Sequence, residues 1–265
     1  MRLIRYIPLF VLCILCIIAC ICAFAPTAWF MDVDPFSAHQ GPSLEHFLGT
    51  DHLGRDIFIR LAAGTTNVVF PGLLACMIAS LVALPLAVYS GAMKSQLAGL
   101  LSLPLDIISA IPRFVFILLL CSIFSEDLLT LAIGCGFACA PSLGEAVRAR
   151  IIQLRLKGHQ LAYESHGISN TKILWFHFLW VGCRRLIGRE LLGIFGLFTI
   201  IETSLSYLGH FGVQQPNPSW GNMLAFDWGD GRGSLLALWA PALAIWVVLF
   251  CLDFLRTELE DSANA

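Results

Sequence analysis

Six stretches of almost uninterrupted apolar residues divide the chain, at 7–25, 68–93, 103–124, 128–143, 186–208 and 235–252. About 20 such residues are needed to cross the hydrocarbon core of a bilayer. The pattern therefore predicts an all-α, polytopic membrane protein with about six transmembrane helices. Pro71 and Pro85 fall inside the second window, Asp106, Pro112 and Arg113 interrupt the third, and the fourth is short. Along the chain this divides into a first helix with a long polar segment (1–67), a helical core (68–255) carrying a basic loop at about 148–185, and a short tail (256–265).

Polar residues concentrate between the windows. The fifth window ends in Glu202-Thr-Ser-Leu-Ser-Tyr-Leu-Gly209 and runs into a loop that holds Gln214, Pro216, Pro218 and Trp220. Pro216 and Pro218 fix their own backbone angles and bias Gln215 and Asn217 away from helix. Gly209, Gly212 and Gly221 permit tight turns, and Trp220 suits a membrane–water boundary. A stiff, shaped loop at the mouth of a transmembrane helix points to docking or gating, and an ordinary connecting loop is the plain alternative.

Composition agrees with the pattern: 58% of residues are hydrophobic and 13% charged, with a mean hydropathy of +0.80. These values lie far from those of a soluble domain, and a formal charge of −2 carries no footprint for nucleic acid. The placement of charge is more informative than its sum. Eight of the sixteen Lys and Arg residues lie in 148–189, with Glu164 as the one acid there. Short flanks so rich in basic residues stay cytoplasmic. Arg2 and Arg5 place the N-terminus on the same side, and six spans return the C-terminus to it. Segments 26–67 and 209–233 are then external. The N-terminal stretch has a basic start and Ala23-Phe-Ala25, but its apolar run exceeds that of a signal core and Pro26 follows, so an uncleaved helix is expected.

Six of the ten cysteines form the pairs Cys13/Cys16, Cys20/Cys22 and Cys135/Cys139. All lie inside apolar windows without a histidine, where cysteine behaves as a small hydrophobe, so no metal site is expected from them. His39, His46 and His52 are irregularly spaced and give only a weak metal signal. Ionisable groups inside spans raise a functional question. Asp106 and Arg113 share a face about 10 Å apart on a continuous helix, too far for a direct pair, so each is expected to meet another helix or water. Glu202 sits near the outer end of the fifth span. A structural hydrogen bond is the alternative for all three.

The segment Ala162-Tyr-Glu-Ser-His-Gly167 is followed by Ile168-Ser-Asn-Thr-Lys-Ile-Leu-Trp-Phe-His-Phe-Leu179. Its capping signals predict a short helix ending near Gly167, a turn through Ser169 and Asn170, and a second, amphipathic helix. Such a hairpin on a basic collar suits docking into a cleft of another protein, with Ala162 and Gly167 small enough for close approach.

Three blocks give the chain a specific resemblance to the permease subunits of bacterial ABC importers of the dipeptide, oligopeptide and nickel branch. Leu48-Gly-Thr-Asp-His-Leu-Gly-Arg-Asp-Ile-Phe-Ile-Arg60 is similar to the family's block after the first helix. Ala162, Gly167, Ile173, His177 and Leu179 fall on its cytoplasmic coupling loop. The block from Glu202 to Leu224 resembles its E-x-x-LS-[FY]-LG…P-x-PSWG-x-ML segment, and Asp106 and Pro112 match its third helix. The chain departs where Leu161 and Tyr163 replace an acid and an alanine of the coupling loop, where Glu164 replaces a common arginine, and where Trp180 replaces its usual proline.

The resemblance implies the type I ABC importer permease fold and half of a translocation pathway in the bacterial inner membrane. It also implies partners: a second, homologous permease subunit, two ATPase subunits that carry ATP and magnesium, and an external solute-binding protein. Ala162, Tyr163, Gly167, Ser169 and His177 would couple to the ATPases, and Gln214, Pro216, Pro218 and Trp220 would face the binding protein. No catalytic residue, metal or cofactor is expected in the chain itself, which has no G-x-x-x-x-G-K-[ST] loop. Di- or oligopeptides are the favoured cargo, with nickel or a metal chelate as the alternative. A secondary transporter or a membrane enzyme are more distant readings, because neither an internal repeat nor a nucleophile–base arrangement is visible.

Overall fold

A backbone N–H or C=O facing hydrocarbon finds no water to bond, so long apolar stretches close their hydrogen bonds within helices. The computed structural model describes residues 6–26, 28–93, 96–157, 163, 165–209, 211–229 and 235–264. Among these no strand occurs, and a single isolated bridge joins Thr50 to Asp56. The helices are α1 (Ile7–Ala23), α2 (Ala28–Met31), α3 (Ile57–Ala92), α4 (Gln96–Ser109), α5 (Arg113–Ile123), α6 (Leu128–Leu156), α7 (Asn170–Leu208), α8 (Trp220–Gly229) and α9 (Leu235–Asn264). Four of them, α3, α6, α7 and α9, are long and apolar enough to span a membrane. The bent pair α4–α5 makes a fifth candidate, and α1 is a shorter apolar helix of 17 residues. Each predicted window falls on one of these six.

Two local features differ from expectation. The third window is not one continuous helix: α4 and α5 meet at a bend of 81°. Pro112 supplies the cause, since it lacks an N–H and disfavours helix at Ile111. Asp106 and Arg113 therefore lie on different helices, and the seven-residue spacing gives no shared face. The second difference is in α7, which runs unbroken from Asn170 to Leu208 with a wider, π-helical stretch over Ile173–Gly182. No proline falls within 170–208, so no backbone donor is missing and nothing ends the helix. The second arm of the predicted hairpin is thus the first part of the fifth span. It is apolar on every side rather than amphipathic: Ile173, Phe178 and Leu179 are buried, while Trp175, Phe176, Trp180 and Val181 are exposed.

Two compact units make up the chain. The first comprises Met1–Leu73, Leu120–Ala132 and Phe195–Phe254. Its core includes Ile57, Met223 and Ala237, with Leu48, Leu61 and Ala240 packed around them.

The second unit comprises Leu74–Leu119, Ile133–Ile194 and Leu255–Ala265. Ala75, Ala79, Ala83 and Ala87 recur every fourth residue of α3, along one face, and none is more than 1% exposed. Against that face stand glycines of α6. A methyl added at Gly136 would lie 2.8 Å from the carbonyl oxygen of Ala75, and one at Gly144 would lie 3.6 Å from Ala83 Cβ. Small residues let two helix backbones approach closely, which is how helices associate where lipid supplies no hydrophobic driving force. At the end of this seam Arg155 Nη1 donates to the carbonyl oxygens of Gly91, Ala92 and Met93, at 3.0, 2.7 and 3.1 Å. A cation on the last carbonyls of α3 satisfies acceptors that the helix leaves open.

Candidate docking and coupling sites

In the first unit, the 48–60 block folds into a tight, polar turn. Gly49 and Gly54 take φ of +80° and +77°, the left-handed region that favours glycine, and a methyl on Gly54 would overlap the carbonyl of Asp34. Around this turn Asp51 collects donors. Its Oδ1 accepts the backbone N–H groups of Leu53 and Arg55, each at 2.9 Å, and its Oδ2 accepts Arg55 Nε at 2.7 Å. Arg60 Nε lies 3.7 Å from the same Oδ2. All three side chains are buried, at 5%, 3% and 1% exposure for Asp51, Arg55 and Arg60. Asp56 caps α3 by accepting the N–H of Ile59 at 3.0 Å, and its other oxygen lies 2.8 Å from His46 Nδ1.

The two arginines hold the 211–219 loop. Arg55 Nη1 donates to Gln215 Oε1 at 2.8 Å, and Arg60 Nη1 donates to the carbonyl oxygen of Pro216 at 3.3 Å and of Phe30 at 3.2 Å. Asn67 Nδ2 donates to the carbonyl oxygen of Pro218 at 2.7 Å. From the other side Glu202, wholly buried, accepts Ser206 Oγ at 2.8 Å and Ser219 Oγ at 2.7 Å on one carboxylate oxygen. Ser206 Oγ in turn accepts the N–H of Val213 at 2.9 Å. Asn222 closes the ring by donating to the carbonyls of Val213 and Asn217, at 3.1 and 2.9 Å. Through the hydroxyls of Ser206 and Ser219, Glu202 ties the end of α7 to the loop.

The loop's own residues divide into anchors and surface. Gln214, Pro216 and Asn217 are exposed, whereas Pro218 and Trp220 are buried. Trp220 is buried within the chain rather than exposed on the loop's surface. Its Nε1 donates to the carbonyl oxygen of Leu61 at 3.0 Å, and its ring fills the space above Gly64, where an added methyl would stand 2.9 Å from Trp220 Cδ1. The exposed part overlooks a cleft of about 400 Å³ whose lining includes Phe30, Asn67, Asp127, Gln214 and Asn217. The backbone N–H of Thr130 donates to Asp127 Oδ1 at 2.8 Å and holds its carboxyl below the usual range, so the cleft carries a negative charge.

In the second unit, Ala162, Leu161 and Glu164 lie outside the described residues. Tyr163 stacks on His177 with ring centroids 4.3 Å apart, and Phe176 meets the other edge of His177 at 5.3 Å. The N–H groups of His166 and Ile168 both donate to the Tyr163 carbonyl at 3.2 Å. Gly167 closes this turn at φ +74°, is exposed, and has nothing within 4 Å of where a methyl would stand. Ser169 precedes α7 in an extended conformation without a side-chain cap, and Ile173 N–H reaches its carbonyl at 3.0 Å. Asp106 and Arg113 are both exposed. Asp106 accepts Ser102 Oγ of its own helix at 3.1 Å.

Spacing alone missed Asp51, Arg55 and Arg60 as holders of the loop. The signal was present in the charged, glycine-flanked 48–60 block, but its partner Gln215 stands 160 residues away.

Among relatives, the dipeptide transport system permease protein DppC of Alkalihalophilus pseudofirmus is 29% identical over 251 residues, covering 92% of this chain and 81% of its own length. The oligopeptide transport system permease protein OppC of Bacillus subtilis is 28% identical, covering 86% and 74%. The glutathione transport system permease protein GsiD of Pectobacterium atrosepticum is 26% identical, covering 85% and 74%. The profile of one family matches residues 83–263, which hold both the coupling segment and the Glu202 loop. The chain therefore belongs to the family described as the inner membrane component of binding-protein-dependent transport systems.

Proposed function

We propose that the chain is one half of the translocation pathway of an ATP-driven importer of di- or oligopeptides. A second permease subunit, two ATPases holding ATP and magnesium, and an external binding protein complete the machine. The observation that carries this reading is the family match across the helical core, and the peptide systems named for the relatives supply the cargo. In this assembly the exposed 214–217 surface faces the binding protein. The turn closed by Gly167 and the Tyr163–His177 stack face the ATPases, and Ala162 belongs to the same segment. ATP-driven closure moves that turn, and α7 carries the movement onward because it is continuous from Asn170 to Leu208. The chain supplies no bond chemistry.

Uptake of a labelled tripeptide tests the cargo in cells that lack other peptide importers. Deleting this chain, or inactivating a partner ATPase, is expected to reduce uptake to background and to leave nickel accumulation unchanged. Retained peptide uptake with lost nickel accumulation would replace the peptide reading by the metal one.

Orientation follows from charge: 148–189, with half of the basic residues, is cytoplasmic, as are both termini, and 211–219 is external. In a background cleared of native cysteines, Asn217→Cys should react with a membrane-impermeant maleimide in intact cells. Asn170→Cys should react only after lysis. The opposite pattern would invert the topology.

A further inference from the structure

The second unit contains a cleft of about 450 Å³ that the transport reading does not use. Four guanidinium groups line it, Arg150 from α6 and Arg184, Arg185 and Arg189 from α7, against the single carboxylate of Glu260 from α9. Val181, Leu186 and Leu259 add an apolar wall. Arg189 is partly occupied, at 2.7 Å from Glu190 and 3.3 Å from Glu260, and Arg150 makes a long contact of 3.4 Å with Gln153. Arg184 and Arg185 are exposed. Four arginines against one glutamate make the lining of the cleft predominantly basic.

Its depth follows from sequence. Residues 128–144 of α6, 191–201 of α7 and 235–252 of α9 carry no charge, and each helix turns charged where it reaches the cleft. Three helices that change from apolar to charged at one level mark the height of the lipid headgroups. A basic pocket between membrane helices at that height suits a phosphate with attached acyl chains, since guanidinium forks pair two phosphate oxygens at once. We infer that the Arg150–Arg184–Arg185–Arg189 cleft is a binding site for the phosphate headgroup of an acidic phospholipid, whose chains run from Leu186 toward the uncharged 191–201 stretch of α7. The assignment requires only that α6, α7 and α9 cross the membrane, whatever the cargo.

The test uses the intact importer complex in nanodiscs of phosphatidylcholine with or without phosphatidylglycerol, read by native mass spectrometry after release into detergent. The parent is expected to retain phosphatidylglycerol in preference to phosphatidylcholine. Arg184→Gln with Arg185→Gln should weaken that retention by about thirtyfold, at roughly tenfold or less per lost cation. The charge-preserving pair Arg184→Lys with Arg185→Lys should keep most of it and shows that the fold survives. Equal retention in the Gln variant would overturn the site. Displacement of the lipid by millimolar inorganic phosphate would assign the cleft to a free anion instead. Loss of the ATPase subunits from the Gln variant, with lipid retention unchanged, would make these arginines part of the ATPase contact and overturn the lipid assignment.

Discussion

Asp51→Ala is expected to lower the apparent melting temperature of the purified permease by roughly 10 °C, because it removes one side of a buried charge cluster. Arg55 and Arg60 are 3% and 1% exposed, and Asp51 Oδ2 is the carboxylate oxygen that Arg55 Nε meets at 2.7 Å. Deleting one partner of a buried pair costs about 3–5 kcal/mol, since the remaining charge stays out of water without compensation. Two backbone N–H groups, of Leu53 and Arg55, would lose their acceptor as well. Asp51→Asn should fall between the two, because its amide oxygen still accepts from those N–H groups while the charge is gone. The effect should spread to function through the loop: Arg55 and Arg60 would no longer be steered toward Gln215 and Pro216, and stimulation of ATPase activity by the liganded binding protein should fall. A variant melting within a degree or two of the parent would mean that water reaches these arginines and that the cluster is not closed.

The helical architecture was legible because membrane solvation imposes a single rule, and six windows obey it over most of their length. What the windows could not reveal were the exceptions. Ile111 and Pro112 break the third span, and a segment free of proline, Trp180 included, runs the coupling region into the fifth. Both are single-residue effects on backbone hydrogen bonding, legible only once the neighbouring helix ends are known. At the 202–224 loop, the environments of some residues differ from those their sequence suggests. Pro218 and Trp220 look like surface features from composition, but Gly64 and Asn67, about 150 residues earlier, provide the space and the donor that bury them. Glu202 carried an open question between transport and structure. Ser206 and Ser219 favour structure, and Glu202→Gln, which keeps an acceptor for both hydroxyls, should therefore preserve the loop far better than Glu202→Ala.

Gly167→Trp is expected to reduce retention of the ATPase subunits by about a hundredfold in dissociation constant, corresponding to roughly 3 kcal/mol of lost contact. Two properties of Gly167 contribute, and they can be separated. The first is conformational: at φ +74° any residue with a Cβ is strained, at a cost on the order of 1–2 kcal/mol. The second is steric: the space around Gly167 is open within this chain, so an indole there meets nothing until a partner arrives. Gly167→Ala carries the strain with little bulk, and Gly167→Asn carries modest bulk in a residue that tolerates the left-handed region. If close approach of an ATPase decides the outcome, Trp should lose far more than Ala, and Asn should fall between the parent and Trp. If only the turn's conformation matters, Ala and Trp should lose equally and Asn should behave almost as the parent does. Co-purification of the ATPases, measured alongside the melting temperature of the permease alone, distinguishes the two. Normal assembly and normal peptide uptake in the Trp variant would place the ATPase contact elsewhere, away from the turn between Tyr163 and α7.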